Sequence, residues 1–556
     1  MDSCILNAIR IVNPRLRSNA IAVLVISAVA LCIVLPFLKL GIPSGHDFEF
    51  HLNSWIEVVD HWKQRNFYPQ WDALAHYGYG EARFIFYPPF SWTLGAALGT
   101  ILPWKLVPAA YIWIVLTLAG CSMFLLARRW LPYADAIFAA ALYLANPYNL
   151  VIVYWRSAFA ELMAAIYLPL LLFLVFRIGE TRGRRVLVPL SLSLVMAAGW
   201  LTNLPSAVMM NYSLILLAIA VAFSRKSLVV IGYAAAAAVL GAMLAGFYLV
   251  PAYHEQSWVN IGQVLAPGVR PSDNFLFTYT EDADHNHFNL LVSIVAVWQI
   301  ALAAAALMFW RRFKRHSLWP FAVVWATFCV VLMLRPTLGL WDHLPELRFV
   351  QFPWRWLLCL SVPFALAISF VIRRWWLRGL VCALSLAMVF VVWQRVQVPW
   401  WDTAADIQEM LDNQHDGIGN EGTDEYVPAG ADPYALVKDA SAVHYDGGGT
   451  AQIQIQEWRA ETRKFTVIAS APGKLILRLF NYPLWKTTVN GKQVGTGSTS
   501  QTRQMIVPVN KGESRVEITI VKGENRTLGL VCSFLAVAAL AAWSFSLRRS
   551  FAPSAL

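Results

Sequence analysis

Close behind the first apolar block, the run Gly-His-Asp-Phe-Glu-Phe-His sets His46, Asp47, Glu49 and His51 together. In an extended chain Asp47, Glu49 and His51 share a face, and in a helix Asp47 and His51 do. Either way a carboxylate and an imidazole converge where a spanning segment ends. Such a group can act as a general base, or hold a divalent cation (manganese or magnesium) through oxygen and nitrogen ligands. The competing reading is structural, with Asp47 closing a helix N-terminus.

Other polar residues stand at the boundaries of later apolar blocks. They are Arg156 and Glu161, Asn203, His254 and Glu255, then Arg348 and Arg355 on either side of Phe349-Val-Gln351-Phe-Pro-Trp. An ionisable group at a membrane boundary is costly unless paired or used, and singly each reads as a snorkelling or paired residue. Together they place acid at one site and arginine at neighbouring turns. That pattern suits a base facing a bound lipid phosphate, because guanidinium offers phosphate paired donors. Glu81 and Arg83 close Tyr77-Gly-Tyr-Gly-Glu-Ala-Arg, a glycine-marked loop. It is not a dinucleotide fingerprint, since no strand precedes it. His285 and His287, two apart in a loop, are a weak metal signal. The sequence holds no P-loop, zinc-protease helix or nucleophile elbow, which argues against a phosphorylating ATPase or a serine hydrolase.

The elements that must position these residues are membrane helices. Of 556 residues, 58% are hydrophobic and 14% charged, against roughly 25% charged in soluble domains. The apolar residues fall in blocks of spanning length, about 20–40, 106–127, 133–148, 158–177, 186–200, 205–223, 228–249, 288–309, 318–335, 355–373, 377–395 and 527–546. The block at about 88–103 opens on Pro88-Pro89 and is too short to cross comfortably; a re-entrant element is expected, tolerable where protein buries its ends. The net charge of +11 does not imply nucleic acid, because Lys and Arg cluster beside the apolar blocks and orient them. The basic links alternate with acidic or neutral ones if both termini are cytoplasmic. Segments 41–105, 250–287 and 396–526 then face outward. Arg10, Arg15 and Arg17 precede the first block with no small-residue cleavage site, so a retained helix is expected. The seven cysteines lie at Cys4 or in apolar blocks, without a disulfide framework or thiolate site.

The expected organisation is a multi-span part over 1–395, a mainly-β domain over 396–526 and a final helix with its tail over 527–556. Strands are predicted at Lys464 to Ser470, Lys474 to Phe480, Trp485 to Val489, Gln504 to Val509 and Ser514 to Val521, with Asn490-Gly491 as a hairpin turn. Leu52 to Trp71 is amphipathic, with Trp55, Val58, Val59 and Trp62 at helical spacing. It reads equally as an interfacial helix or as one packed on other spans.

Several of these stretches also resemble a known family. His46-Asp47 with His51, Tyr68-Pro-Gln-Trp71, Tyr77-Gly-Tyr-Gly80 and Phe86-Tyr-Pro-Pro89 resemble the opening of bacterial membrane proteins described as 6-pyruvoyl-tetrahydropterin-synthase-related. Tyr154-Trp-Arg156 to Glu161, Gln351-Phe-Pro-Trp-Arg355 and Gly422-Thr-Asp-Glu-Tyr426-Val-Pro428 agree. Asn481-Tyr-Pro-Leu-Trp485 to Val489-Asn-Gly-Lys492 is similar to the terminal β-domain of membrane proteins that glycosylate envelope polymers. Nothing in a twelve-span chain reproduces the His-ligated zinc of the soluble pterin enzyme. The resemblance implies instead a GT-C-like membrane glycosyltransferase of the bacterial plasma membrane, using a polyprenyl-phosphate sugar donor and a glycan, lipid or protein acceptor. It places Asp47 at the acidic catalytic position, with Glu49 the nearest substitute. Arg156, Arg355 and Arg348 are expected on the donor phosphate, from position alone. His46, His51, Glu81, Arg83, Glu161, Asn203, His254 and Glu255 are expected around the pocket, with a cation held by Asp47, Glu49 and His51. A transporter or flippase of a lipid-linked precursor is the competing expectation, since many spans with buried ionisable residues serve that purpose.

Overall fold

The computed structural model describes residues 14–178, 187–311, 317–396 and 401–550. Each of the twelve predicted spans corresponds to a helix or bent helix pair. Among the described residues, nine helices are long and apolar enough to cross a membrane. Two further blocks are broken. Val229–Leu244 and Gly246–Trp258 meet at 74°, and Trp319–Leu332 and Arg335–His343 at 87°. The second break falls just before Pro336, which lacks the N–H a continuing helix needs. Leu187–Trp200 is shorter. The Pro-Pro block forms an 11-residue helix, Pro89–Gly99, which at about 1.5 Å per residue covers half a bilayer core. Gly95 is what lets it lie against the first polar segment, because a Cβ there would meet the Trp55 ring at 2.1 Å.

Leu52 to Trp71 is not a surface helix. Phe48–Lys63 is helical with most of its side chains buried, and Trp55 stacks on Tyr111 (4.9 Å) and Phe159 (5.7 Å). Its apolar stripe is covered by protein.

The C-terminal β region has two antiparallel sheets. One runs in the order Val443–Gly447, Gly473–Phe480, Gln504–Val509, Gly497–Ser498, and the other Ala451–Arg459, Thr462–Ala469, Gly512–Ile520, Trp485–Val489, Lys492–Val494. Phe465, Val467, Leu475, Leu477, Val507 and Ile518 alternate along their strands to fill the space between the sheets. Asn490 and Gly491 have φ of 50° and 77° and join Val489 to Lys492 in register, the backbone that two-residue hairpins need. Beyond the predicted strands are Val443–Gly447, Ala451–Arg459, Lys492–Val494, Gly497–Ser498 and a helix, Ala404–His415.

This β region shares one hydrophobic cluster with the first polar segment: Trp71, Tyr79, Ala82 and Phe86 pack with Phe480, Tyr482 and Trp485. The Tyr-Gly-Tyr-Gly loop forms the joint. The Arg478 guanidinium bonds the Tyr77 carbonyl, the Phe480 N–H donates to the Tyr79 carbonyl at 3.0 Å, and Lys438 Nζ donates to the Tyr77 hydroxyl at 2.9 Å.

Candidate functional site

A cavity of about 1220 Å³ opens where the spanning helices meet the β region. Its apolar side is formed by Leu204, Val208, Met243, Leu249 and Cys532, drawn from the helix after Asn203, the bent pair at Ala245 and the last helix. Asp47, Arg156, Glu161, Arg348 and Arg355 line it elsewhere. A cavity with greasy and charged regions matches an amphiphile better than a polar metabolite.

Asp47 occupies the N-cap position of Phe48–Lys63, yet its side chain makes no capping bond, and it forms no ion pair among the described residues. The structural reading of this residue therefore does not account for its side chain. Its backbone is held firmly. The Asp47 N–H donates to the Arg156 carbonyl at 3.0 Å, and Ser157 Oγ donates to the Pro43 carbonyl at 2.9 Å. Arg156 ends a π-helical turn, Ile152–Arg156, a distortion frequent at functional sites. Ser157 follows with φ of 50°.

On the same cavity two guanidiniums share one carboxylate. Glu161 Oε2 accepts from Arg156 Nη1 at 2.6 Å and from Arg355 Nε at 3.1 Å, and Oε1 accepts from the Tyr148 hydroxyl at 2.5 Å. Arg355 Nη1 also donates to the Val350 carbonyl (2.8 Å) and to Gln351 Oε1 (3.0 Å). Arg156 lies 4.9 Å from the Trp354 ring centre and Arg355 4.6 Å from that of Phe352. Arg156 Nε and Nη2 make no hydrogen bond to the described residues. Two cations against one anion, with donors to spare at a cavity wall, leave a group able to receive an anion. Arg348 is exposed on the same cavity, over the Phe349 ring at 5.0 Å. Gln351 is held at φ 64°, ψ −58°, strain of the kind that gathers at functional sites.

The helix separates the expected metal ligands. Glu49 is exposed and absent from the cavity wall, because two residues of helix turn a side chain to the far side. His51 Nε2 accepts the Phe159 N–H at 3.2 Å, and its ring stacks on Phe159. Among the described residues no three His, Cys, Asp or Glu side chains gather as ligands. Asp47, Glu49 and His51 therefore do not fit the cation expected of them. His285 and His287 also part, bonding the Asp273 and Arg395 carbonyls respectively.

His51 is fully enclosed, and burial, opposed by Asp47 and aided by Arg83, lowers its pKa to about 4. In an unfolded chain it would titrate near 6.5. The folded state thus refuses a proton that the unfolded state takes, so stability is complete above pH 6.5 and falls as pH drops towards 4. The expected loss is about 3 kcal/mol, and His51→Gln, which keeps an acceptor for Phe159, should flatten it. Unfolding of detergent-purified protein from pH 7 to 4 measures this; equal acid sensitivity in the two proteins would refute it. His46 lies against Phe288 at 5.0 Å and lines the cavity.

Glu81 and Arg83 do not reach the cavity. Arg83 donates to Glu81 Oε1 at 2.5 Å, to Ser54 Oγ at 2.8 Å, and pairs with Asp72 Oδ2 at 3.1 Å. Glu81 also accepts from the Thr423 N–H and hydroxyl at 2.8 and 3.0 Å, and its Oε2 lies 3.0 Å from His76 Nε2. This is a buried clasp between the first polar segment and the β region. Burial pushes the Asp72 carboxyl up to about 7, against Arg83 and with help from Glu57 and Glu81. Burial pushes Glu81 the same way, but Arg83 and His76 outweigh it and hold its carboxyl below the usual range. Glu255 likewise turns to the β region, accepting from the Tyr482 hydroxyl at 3.2 Å and Asn525 Nδ2 at 3.3 Å. Asn203 and His254 do line the cavity, but Asn203 spends its carbonyl capping Leu204–Arg225 through the Ser206 N–H at 3.0 Å. The expectations missed Tyr148, buried in an apolar block beside Pro147, and Tyr87 and Glu425, whose motifs carried no ion-pairing pattern.

Many apolar helices, a β region docked on their polar loops and an amphipathic cavity between them define a polytopic membrane protein with a site at the helix–domain junction. Residues 84–398 match the family model described as "6-pyruvoyl-tetrahydropterin synthase related domain; membrane protein", and the chain belongs to that family. No curated protein matches it. Among solved structures it is similar to the Archaeoglobus fulgidus oligosaccharyltransferase in the apo form, at 15% identity and a TM-score of 0.41, over 69% of this chain and 57% of that one. The same enzyme tethered by a disulfide to an acceptor peptide containing the NVT sequon gives 15% identity and 0.38, over 71% and 58%. The chain thus spans less than two thirds of the structures it matches.

Proposed function

We propose that this protein is a GT-C-type membrane glycosyltransferase, moving a sugar from a polyprenyl-phosphate donor to an envelope glycan, lipid or protein acceptor at the outer face of a bacterial plasma membrane. The observation that carries the reading is an unpartnered Asp47 carboxylate in one cavity with a cationic group, Arg156, Glu161 and Arg355, that has donors to spare. The phosphate leaves as an anion and needs charge stabilisation in place before it departs. Arg156 and Arg355 supply it, with Arg348 closing on the exposed side, while the apolar wall takes the isoprenoid. Asp47 accepts the proton of the acceptor hydroxyl as that oxygen attacks the anomeric carbon from the face opposite the phosphate, inverting it. No step is assigned to a cation.

The test is release of polyprenyl phosphate from a polyprenyl-phosphate sugar by the full chain in lipid nanodiscs. Acceptor-dependent release is the expected result, and its absence with every donor sugar tried counts against the reading. A second reading, transport of a lipid-linked precursor, draws on the two bent helix pairs, since transporters build sites on discontinuous helices. Movement of labelled lipid across vesicles without release of polyprenyl phosphate would select it.

Gly45 supplies a further check. A Cβ there would stand 2.5 Å from the Arg156 carbonyl carbon and 2.6 Å from the Ser157 nitrogen, backbone atoms that cannot rotate away. Gly45→Ala should displace Asp47 relative to Arg156 and lower turnover about 10²-fold, with donor binding retained. Wild-type turnover would show that this close approach does not set the geometry.

A further inference from the structure

One wall of the cavity comes from the β region and is used neither by the Arg156, Glu161 and Arg355 group nor by Asp47. The segment Thr423–Pro428 reaches the cavity because it is gripped from two sides. Thr423 is held by Glu81, the Asn260 N–H donates to the Val427 carbonyl at 3.0 Å, and the Ala429 N–H donates to the Trp258 carbonyl at 2.8 Å. Glu425 and Tyr426 line the cavity from this segment. The Glu425 carboxyl makes no hydrogen bond or ion pair with another described residue, and the hydroxyls of Tyr426 and Tyr87 make none either. None of the three is among the buried polar groups sealed off without a partner, and all three residues line the cavity.

Tyr87 is within electrostatic reach of Asp47 and Arg355, and Tyr426 of Glu425 and Tyr87. Asp47, Tyr87, Tyr426 and Glu425 all line the one cavity. In the in-line displacement proposed above, the acceptor needs contacts other than those that hold the phosphate, and this wall supplies polar groups that the arginines do not use.

We propose that Glu425, with the Tyr426 and Tyr87 hydroxyls, forms the acceptor subsite, and that the acceptor it fits is a neutral, hydroxyl-rich glycan. This rests on the transferase reading. The chemistry is that of sugar recognition: a carboxyl takes two neighbouring hydroxyls at once, phenol groups both give and accept, and aromatic faces cover C–H surfaces. Phe86 and Tyr426 stack with centres 6.0 Å apart and planes 7° apart, which fixes the Tyr426 ring at this wall. Burial pushes the Glu425 carboxyl up to about 7, so near neutrality it can donate as well as accept, which suits an uncharged diol better than a cationic or anionic group.

The experiment uses the full chain in nanodiscs with two probes. Saturation-transfer NMR is recorded with neutral disaccharides of glucose, galactose, mannose and arabinose, and native mass spectrometry with undecaprenyl phosphate. Glu425→Gln, Glu425→Ala and Tyr426→Phe are compared with wild type, and their melting temperatures show that each is folded. The expected result is saturation transfer to at least one disaccharide that weakens about tenfold or more in Glu425→Ala, less in Glu425→Gln, with undecaprenyl phosphate binding unchanged in all three. The proposal is overturned if wild type binds none of the disaccharides, or if Glu425→Ala and Tyr426→Phe bind them as wild type does. A Glu425-dependent signal from a neutral Ser/Thr-rich peptide and from no disaccharide would also overturn the glycan assignment. Failure of the wild-type protein to bind undecaprenyl phosphate would count instead against the transferase reading, which separates the two.

Discussion

Asp47→Asn is expected to lower turnover by about 10³-fold or more, within the range for loss of a general base, while leaving the fold intact. The stability half follows from geometry. The Asp47 carboxylate makes no capping bond and no ion pair among the described residues, so an isosteric amide removes no contact. The activity half follows from chemistry, because an amide cannot take the acceptor proton. Donor binding should change little, since the Arg156, Glu161 and Arg355 group stays whole. The loss should therefore appear in kcat and scarcely in KM for the donor. Release of polyprenyl phosphate from its sugar conjugate, with a melting curve for each protein, decides it. Near-normal turnover would remove Asp47 from the chemistry and leave the cavity to be explained as a lipid path.

Arg83→Met is expected to be the most destabilising single change in the polar joint, at about 3–5 kcal/mol, the cost of stranding buried partners of a lost charge. Asp72, Glu81 and Arg83 are all sealed from solvent, and Arg83 is the cation they share. Methionine fills much of the volume, so the loss isolates charge from packing. Because Glu81 holds Thr423 and Thr423 leads into the cavity wall, the β region should loosen first. Limited proteolysis within 417–440 and the melting temperature report this. A variant that melts and resists protease like wild type would show that the clasp is not what docks the β region.

The two charged clusters look alike in sequence. Arg156 with Glu161, and Arg83 with Glu81, each put an arginine close along the chain to a carboxylate at the end of an apolar stretch. Their difference lies in stoichiometry and depth. Arg83 is one cation between two carboxylates with no face on the cavity, whereas Arg156 joins Arg355 around one carboxylate at the cavity wall. Glu49 and His51 are separated by a similar local fact: once residues 48–63 form a helix, 47 and 51 share a face and 49 does not. The sequence leaves extended chain and helix open there.

Features set by neighbours along the chain are legible in the sequence itself. The apolar runs locate the spans because a bilayer demands a minimum length of hydrocarbon-compatible helix. Asn490-Gly491 dictates its hairpin because both residues tolerate positive φ, and alternation in Thr462–Ala469 and Gly512–Ile520 marks the buried face of each strand. Asp47 stands out because its position after a span is itself a local fact. What only the tertiary structure decided is which charges are spent on one another and which remain for a ligand. Arg355 meets Glu161 across 194 residues, and Thr423 meets Glu81 across 342. Pairing over such distances follows from how helices and sheets pack, and no spacing in the chain encodes it.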